Sequence, residues 1–426
     1  MDFTTWSNNY SSDTIMSHTT SFTNSPTIDN IYISISDDNA TTSECVRLSL
    51  SSLKICSQRD TVMSQASRAW MEDVMYIGLL PLLAVVGVLT NVINCVVFNA
   101  QGLKDRVNMC LFCLCLADIV FLSTVSIRFM NKTLTYVIDK KWAREVWVTS
   151  LVRFRLVALP TSFALVSNFV SMVIAVERCV CVTWPLRAAR LLKTKFLAAF
   201  IVVFSTLVIA GMQVVSFKYD IACAVFIGLE HLPPEVMVLP SQLYQDNQVL
   251  LDVLDTIIFS SLVPTFSLVV VAVATTITAV KLRQAGNWRQ HASGGGGGER
   301  ESKGKEGGAN TGSGADVINR KEAVLTRMLV AMSCVYIACV SPRVLRSLCR
   351  LLVPGFRAWG SMCNLMIATE SLETMFLGIN SSLNFFLFYS MGSRYRATLR
   401  RLLTRRTDNA ESAKPVTTIS RAYSSE

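Results

Sequence analysis

Long apolar segments constrain this chain more than any other feature of its sequence. They lie at about 73–99, 107–130, 148–182, 195–217, 249–283, 323–353 and 363–391. A helix needs about 20 residues to cross the hydrocarbon core of a bilayer, and each segment is long enough. The runs are continuous and lack the alternation of barrel strands, so only helices would satisfy their backbone in lipid. The sequence therefore predicts an all-α membrane protein with a seven-transmembrane helix bundle.

Composition excludes the main soluble alternatives. Hydrophobic residues make up 51% of the 426 residues and charged residues only 16%, whereas soluble domains carry about 25% charged residues. We therefore exclude a soluble enzyme, a coiled coil and a disordered regulator. A net charge of +10 would suggest a nucleic-acid partner in a soluble protein. Here the basic residues flank the apolar segments, so we expect no nucleic-acid partner.

The distribution of arginine and lysine predicts the orientation of the chain. Cytoplasmic loops of membrane proteins carry an excess of basic residues. The longest basic run follows the seventh segment and contains Arg394, Arg396, Arg400, Arg401, Arg405 and Arg406. We therefore expect a multi-pass protein of the plasma membrane with its N-terminus outside and its C-terminus inside.

The segment before the first span has the composition of an exterior tail. Residues 1–68 are rich in Ser, Thr, Asn and Asp, and we expect a disordered extracellular tail there. Asn-x-Ser/Thr sequons at Asn9, Asn39 and Asn131 predict glycosylation on the same side.

The polar segments on the other side differ from one another. Residues 284–321 contain the run SGGGGGERESKGKEGGANTGSG, which favours a disordered cytoplasmic loop. Residues 393–405 place Tyr395 and leucines on one helical face and arginines on the other. That pattern is typical of a short amphipathic eighth helix lying on membrane lipid. Residues 406–426 would form a cytoplasmic tail.

One carboxylate lies in the middle of an apolar segment, where ionisable residues are costly and mark functional sites. Asp118 is the only charge of a predicted polar cluster in the bundle. The other members are Asn91, Ser167, Asn380, Ser381 and Asn384. Oxygen ligands around a carboxylate suit a hard cation such as sodium. A hydrogen-bonded helix-packing network, or a protonated Asp118, would explain the same residues, and no other metal or cofactor is expected.

A charged group stands at the inner end of the third segment. Arg178 could pair with its neighbour Glu177 and reach Glu322 at the inner end of the sixth segment. Such a contact breaks when the two helix ends separate, which makes it a candidate two-state switch. The alternative is that Arg178 extends its charge to the membrane interface without a specific partner.

These motifs follow one another in a familiar order and spacing. They are Asn91, Leu116-Ala117-Asp118, Glu177-Arg178-Cys179, Pro264, Pro342 and Asn380-Ser-Ser-Leu-Asn384. Over nearly all of 73–405 the chain resembles rhodopsin-like (class A) G-protein-coupled receptors. The run NSSLNFFLFYSMGSRYR is similar to invertebrate peptide receptors and related orphan or chemosensory-type receptors.

The resemblance implies specific roles and partners. It implies that Arg178 holds the resting state and later contacts a heterotrimeric G protein. Asn384 and Phe388 occupy the places of the family's Asn-Pro-x-x-Tyr motif and would belong to the same switch. Arrestin and a receptor kinase are further partners that the resemblance implies.

The chain also departs from the family pattern. Arg153 stands where the family has a cysteine at the outer end of the third helix, so Cys223 lacks its usual partner. The pairing of the candidate exterior cysteines stays open, and they are Cys45, Cys56, Cys223, Cys349 and Cys363. One possibility is that Cys349 and Cys363 close the third extracellular loop. Val340 replaces a tryptophan usual in the sixth helix, which admits a decoy receptor that does not signal.

Charges at the outer helix ends bear on the ligand. Pro160 stands where amine receptors carry an aspartate, and the seventh segment has no lysine for retinal. Arg350 follows along the sixth segment, and Asp252 and Asp255 open the fifth. The candidate pocket residues are Arg128, Arg153, Arg155, Arg343, Arg346, Glu370 and Glu373. A pocket with both signs of charge suits a peptide, and internal salt bridges closing the mouth are the structural alternative.

We therefore predict a receptor, not an enzyme, that transduces the binding of a peptide to G proteins. A chemosensory receptor for small acidic molecules, which forked arginine contacts would hold, is the alternative reading, as is a non-signalling decoy. A transporter is disfavoured because the sequence has no internal repeats or broken helices.

Overall fold

The computed structural model describes residues 46–48, 62–137, 155–185, 187–188, 192–226, 235–294, 312–356 and 360–412. The main helices in this part are α1 (Gln65–Gln101), α2 (Arg106–Val137), α3 (Leu159–Thr183), α4 (Thr194–Ser216), α5 (248–294), α6 (Gly312–Leu352), α7 (Cys363–Met391) and α8 (Ser393–Ser412). Two of them contain π-helical stretches, Val74–Leu79 in α1 and Val253–Leu262 in α5.

Helices α1 to α7 form one bundle, as predicted. α3 lies at its centre and contacts α2, α4, α5 and α6, while α7 packs against α1 and α6. Within the described residues, α1 to α6 each contain a stretch long and apolar enough to cross a membrane. α7 carries six buried Asn and Ser side chains, which lower its hydropathy, and it reaches the interior of the bundle. The all-α membrane bundle with an eighth helix is therefore confirmed.

Apolar side chains divide between the interior and the lipid-facing surface. The interior is filled by fully buried residues such as Leu114, Leu165 and Val170. Exposed apolar residues cover α4 and α5, including Val202, Val203, Leu207, Val269 and Val273. Such a surface is unfavourable in water and suits contact with lipid chains.

A small sheet covers one end of the bundle, which we call the sheet end. β1 (Val46–Leu48) pairs in parallel with β2 (Tyr219–Phe226), and β2 pairs antiparallel with β3 (Glu235–Pro240). The strand order is β1-β2-β3. The opposite end, where α7 is followed by α8, is the α8 end.

The structure differs from the expected disorder of residues 1–68. Val46–Leu48 form a strand because the edge of β2 offers them backbone hydrogen-bond partners. The side chain of Ser64 caps the start of α1 by accepting from the amide of Ser67 at 3.1 Å. The carbonyl of Met63 accepts a hydrogen bond from Asn364 of α7 at 3.1 Å. The sequons at Asn9 and Asn39 lie outside the described residues, as does the side chain of Asn131.

The polar segments on the other side are also more helical than expected. α5 continues to Gly294 and α6 begins at Gly312, so both ends of 284–321 extend the flanking helices, and 295–311 lies outside the described part. The amphipathic helix continues to Ser412, beyond its predicted end at 405. α5, α6 and α8 extend beyond their predicted ends because no proline interrupts the helix in these segments.

The proposed closure by Cys349 and Cys363 is wrong. Cys349 is a free thiol, whereas Cys363 is disulfide-bonded. Cys363 is therefore not bonded to Cys349. The side chain of the cysteine to which Cys363 is bonded lies outside the described residues.

The close contact of α1 with α2 and α7 depends on Gly87. A Cβ atom at this position would lie 2.5 Å from Leu122 Cδ1 and 2.5 Å from Ser382 Oγ. We expect Gly87→Ala to lower the free energy of unfolding by about 1–3 kcal/mol, the usual cost of overpacking. The measurement is the thermal unfolding of the full chain in detergent. Gly78→Ala is the matched control because no atom lies within 4 Å of its Cβ position, and equal stability of the two variants would contradict the prediction.

Candidate functional site

A polar network occupies the middle of the bundle around Asp118. This carboxylate is completely buried on α2. Its Oδ1 accepts hydrogen bonds from Ser167 of α3 at 2.7 Å and from Ser381 of α7 at 2.8 Å. Its Oδ2 accepts from Asn384 Nδ2 at 2.9 Å. One side chain thus joins three helices, as the sequence led us to expect for these residues.

Asn91 connects this network to α1. Its Nδ2 donates to the carbonyl of Gly87 at 2.9 Å and to the carbonyl of Ser381 at 2.8 Å. Its Oδ1 is a buried acceptor without a hydrogen-bond partner. Asn380 is buried as well, but its side chain makes no hydrogen bond to Asp118 among the described residues. The network thus contains a carboxylate, two hydroxyls and a buried amide oxygen without a partner, and oxygen ligands of this kind fit a hard cation.

A second polar cluster lies at the α8 end of α3. Arg178 donates to Glu177 through Nε at 2.5 Å and through Nη2 at 2.8 Å. Glu177 also accepts from the thiol of Cys181 at 3.3 Å and lies 3.7 Å from Arg106 Nε. The Glu177 carboxylate is buried and forms ion pairs with both Arg178 and Arg106. The side chain of Glu322 lies outside the described residues, so among described side chains the acidic partner of Arg178 is Glu177.

Aromatic contacts connect α7 to α1 and α8 next to this cluster. Phe388 is fully buried and lies 5.0 Å from the ring of Phe98 and 5.7 Å from the ring of Tyr395. The hydroxyl of Tyr395 donates to Asn94 at 2.6 Å. Burial raises the pKa of this Tyr395 hydroxyl, so it remains a hydrogen-bond donor near neutral pH. α8 is thereby fixed to the bundle through Tyr395.

A cavity of about 130 Å³ lies among the helices near the sheet end. Residues from α2 to α7 line it, and they include apolar, neutral polar and charged side chains. The charged lining residues are Asp255, Arg343, Arg346, Arg350, Glu370 and Glu373. Two of the charges on α6 are paired with α7: Glu373 lies 3.3 Å from Arg343 and 2.5 Å from Arg346. Four of the predicted pocket residues therefore meet in one cavity.

Of the other predicted pocket residues, Arg155 is described and does not line the cavity. Arg155 sits before α3 with a left-handed backbone at φ 53°. Its guanidinium donates to the carbonyls of Ser216 and Tyr219 and lies 4.5 Å from the ring centre of Phe217. It therefore fastens the start of α3 to the junction of α4 and β2. The side chains of Arg128 and Arg153 lie outside the described residues.

The sequence did not predict an ion-pair cluster, formed by one lysine and two aspartates, that joins the end of α4 to α5. Lys218 Nζ donates to Asp252 at 2.8 Å and to Asp255 at 3.0 Å. Tyr244 donates to the same Asp252 at 3.1 Å. Burial lowers the pKa of Lys218, but the two carboxylates raise it by more than burial lowers it. The pKa of Lys218 therefore lies above its usual value. A lone lysine directly after the fourth segment was the available signal.

The energetic weight of the Asp118 network can be measured by substitution. Asp118→Ala leaves two hydroxyls and one amide without their acceptor, and we expect a loss of about 1–3 kcal/mol in unfolding free energy. Asp118→Asn retains a carbonyl acceptor and should lose less. Thermal unfolding in detergent is the measurement. Asp246→Asn, at an exposed carboxylate, is the control, and an Ala variant as stable as the wild type would overturn the assignment.

One known family matches most of the chain. A family described as "Serpentine type 7TM GPCR chemoreceptor Srw" matches residues 79–406. The matched range includes most of α1, all of α2 to α7 and most of α8, and with them the residues of the Asp118 network, the Glu177–Arg178 cluster and the cavity. No curated protein is significantly similar to the chain. The family is one of membrane receptors and not of enzymes. The chain belongs to the Srw family of serpentine seven-transmembrane chemoreceptors.

Proposed function

We propose that this chemoreceptor binds a small extracellular ligand in the cavity at the sheet end and activates a heterotrimeric G protein at the α8 end. The observation that carries the proposal is the position of two charged clusters at opposite ends of one bundle. The Asp118 network lies between them and contacts α2, α3 and α7. A ligand that moves α6 or α7 in the cavity therefore acts on helices that also reach the other end.

The resting state would be held by Glu177. Arg178 is occupied by this neighbour on its own helix, so it is withheld from a partner protein. Pro342 interrupts the hydrogen bonding within α6 and lies one position before the cavity residue Arg343. We propose that ligand binding turns the inner part of α6 about Pro342 and opens a cleft in which Arg178 meets the G protein. Arrestin and a receptor kinase would act on the same face.

The membrane placement follows from the same assignment. The sheet end would face the outside of the plasma membrane. The sequons at Asn9 and Asn39, which precede β1 in the sequence, would lie on the same side. α8 would lie on the inner surface, because Tyr395 faces the bundle and Arg394 is exposed. Exposed arginines beside an anionic leaflet contribute about 1 kcal/mol each to membrane attachment.

A peptide ligand is the second candidate. It is favoured by the mixture of charges at the sheet end, where Lys218, Asp252 and Asp255 lie beside Tyr244. The termini and side chains of a peptide would complement both signs. The volume of about 130 Å³ favours a small molecule, since drug-sized ligands occupy about 300 Å³ or more.

The switch at Glu177 generates the central test. Glu177→Gln removes the charge that holds Arg178, and we expect ligand-free G-protein activation to rise by about two-fold or more as the active population grows. The measurement is G-protein dissociation in transfected cells, normalised to receptor at the surface. Asp246→Asn, a carboxylate at the far end of the bundle, is the matched control.

The same assay separates the receptor from a decoy. Arg178→Ala should abolish both basal and ligand-driven dissociation while surface expression is retained. A wild type and a Glu177→Gln variant that are both silent at normal surface expression would overturn G-protein coupling and favour the decoy.

We also propose that sodium binds at Asp118, with Ser167, Ser381 and Asn91 supplying further oxygens. A bound cation would neutralise the buried carboxylate and stabilise the resting arrangement. We expect NaCl to raise the midpoint of thermal unfolding relative to choline chloride at equal ionic strength. Asp118→Asn should lose this dependence, and a wild-type midpoint that ignores sodium would contradict the proposal.

A further inference from the structure

Three arginines of α6 line the cavity together with the carboxylates Asp255, Glu370 and Glu373. Arg343, Arg346 and Arg350 follow at spacings of three and four, so they share one helical face, and all three line the cavity. Glu373 of α7 lies within ion-pair distance of both Arg343 and Arg346. Asp255, another lining carboxylate, is held by Lys218 at 3.0 Å.

Arg350 differs from the two deeper arginines. No carboxylate of the described residues lies within 4.0 Å of its guanidinium, and its side chain makes no hydrogen bond there. It occupies the last turn of α6 and is half-buried at the edge of the cavity. A guanidinium in this state retains all its donors for a ligand. Its planar fork matches a carboxylate, which it binds through two parallel hydrogen bonds.

Apolar side chains from several helices also line the cavity. Phe121 and Val125 of α2, Ala164 of α3, Met212 of α4 and Leu377 of α7 line it. A ligand that fills this space therefore meets both charged and apolar side chains. The cavity volume limits the hydrophobic part to a few carbon atoms or one ring.

We propose that the ligand is a small carboxylic acid with an apolar body, and that Arg350 binds its carboxylate while the body packs against the apolar lining. This inference rests on the proposed function, since it takes the cavity to be the ligand site. A purely structural role for Arg350 is the competing explanation, because a cation in the last turn of a helix interacts favourably with the terminal carbonyls. Lysine would retain that structural role but lose the fork.

The test is direct binding to the purified full chain in detergent, read as the midpoint of thermal unfolding. The probes are acetate, butyrate, hexanoate, octanoate, benzoate and phenylacetate, each beside its primary amide at the same concentration. We expect at least one acid to raise the midpoint, with its amide weaker by about ten-fold or more, the factor expected from hydrogen bonds to a charged group. Acids and amides that act alike, or acids that have no effect, would overturn the inference.

Variants assign the effect to one residue. Arg350→Gln should weaken binding of the active acid by about ten-fold or more, and Arg350→Lys by less, because it retains the charge. Arg327→Gln is the matched control, an exposed arginine at the other end of α6. The unfolding midpoints without ligand verify that each variant is folded. Wild-type affinity in Arg350→Gln would overturn the assignment.

Binding and signalling can fail separately. An acid that binds through Arg350 without driving G-protein dissociation supports this inference and contradicts the proposed function. A ligand that drives G-protein dissociation, but whose affinity is unchanged in Arg350→Gln, supports the proposed function and contradicts this inference.

Discussion

Lipid cannot hydrogen-bond, and this constraint determines how the interior of the bundle is built. Backbone groups within a span must be satisfied in the protein, mainly inside their own helix, and polar side chains must find partners there as well. Asp118 meets this demand by accepting from three side chains on two other helices. The charges near the sheet end meet it by pairing across helices, as Glu373 does with two arginines of α6. Polar contacts therefore fix which helices are neighbours, while apolar side chains are divided between core and lipid.

Hydropathy predicted the helices well because it acts locally. α4 and α7 begin and end within one residue of the predicted limits, 195–217 and 363–391. The extensions of α1, α5, α6 and α8 were missed, because a helix that has left the bilayer is no longer marked by apolar residues. Strand β1 was missed for another reason: three residues of a polar segment form a strand only when the distant edge of β2 is present.

The site was predictable where one residue type is costly in its surroundings. A carboxylate in an apolar segment identifies Asp118, and hydroxyls and amides on neighbouring helices identify its partners. Pair identities were not predictable, because they depend on how helices rotate about their axes. Arg155 and Arg346 look alike in sequence, yet Arg155 binds backbone carbonyls outside the cavity and Arg346 meets Glu373 within it. The ion pairs of Lys218 with Asp252 and Asp255 were not predictable either, because they form only when α4 and α5 pack together.

The parallel pairing of β1 with β2 has a consequence for work with shortened chains. β2 is the middle strand of the sheet, and its first residue, Tyr219, also lines the cavity. Removal of Val46–Leu48 with the rest of the N-terminal segment would leave residues 224–226 of β2 with an open edge of unpaired amides and carbonyls. Such an edge accepts extended peptides of many sequences. A peptide found to bind a truncated chain would then report the place of the missing strand and not the chemistry of the natural ligand.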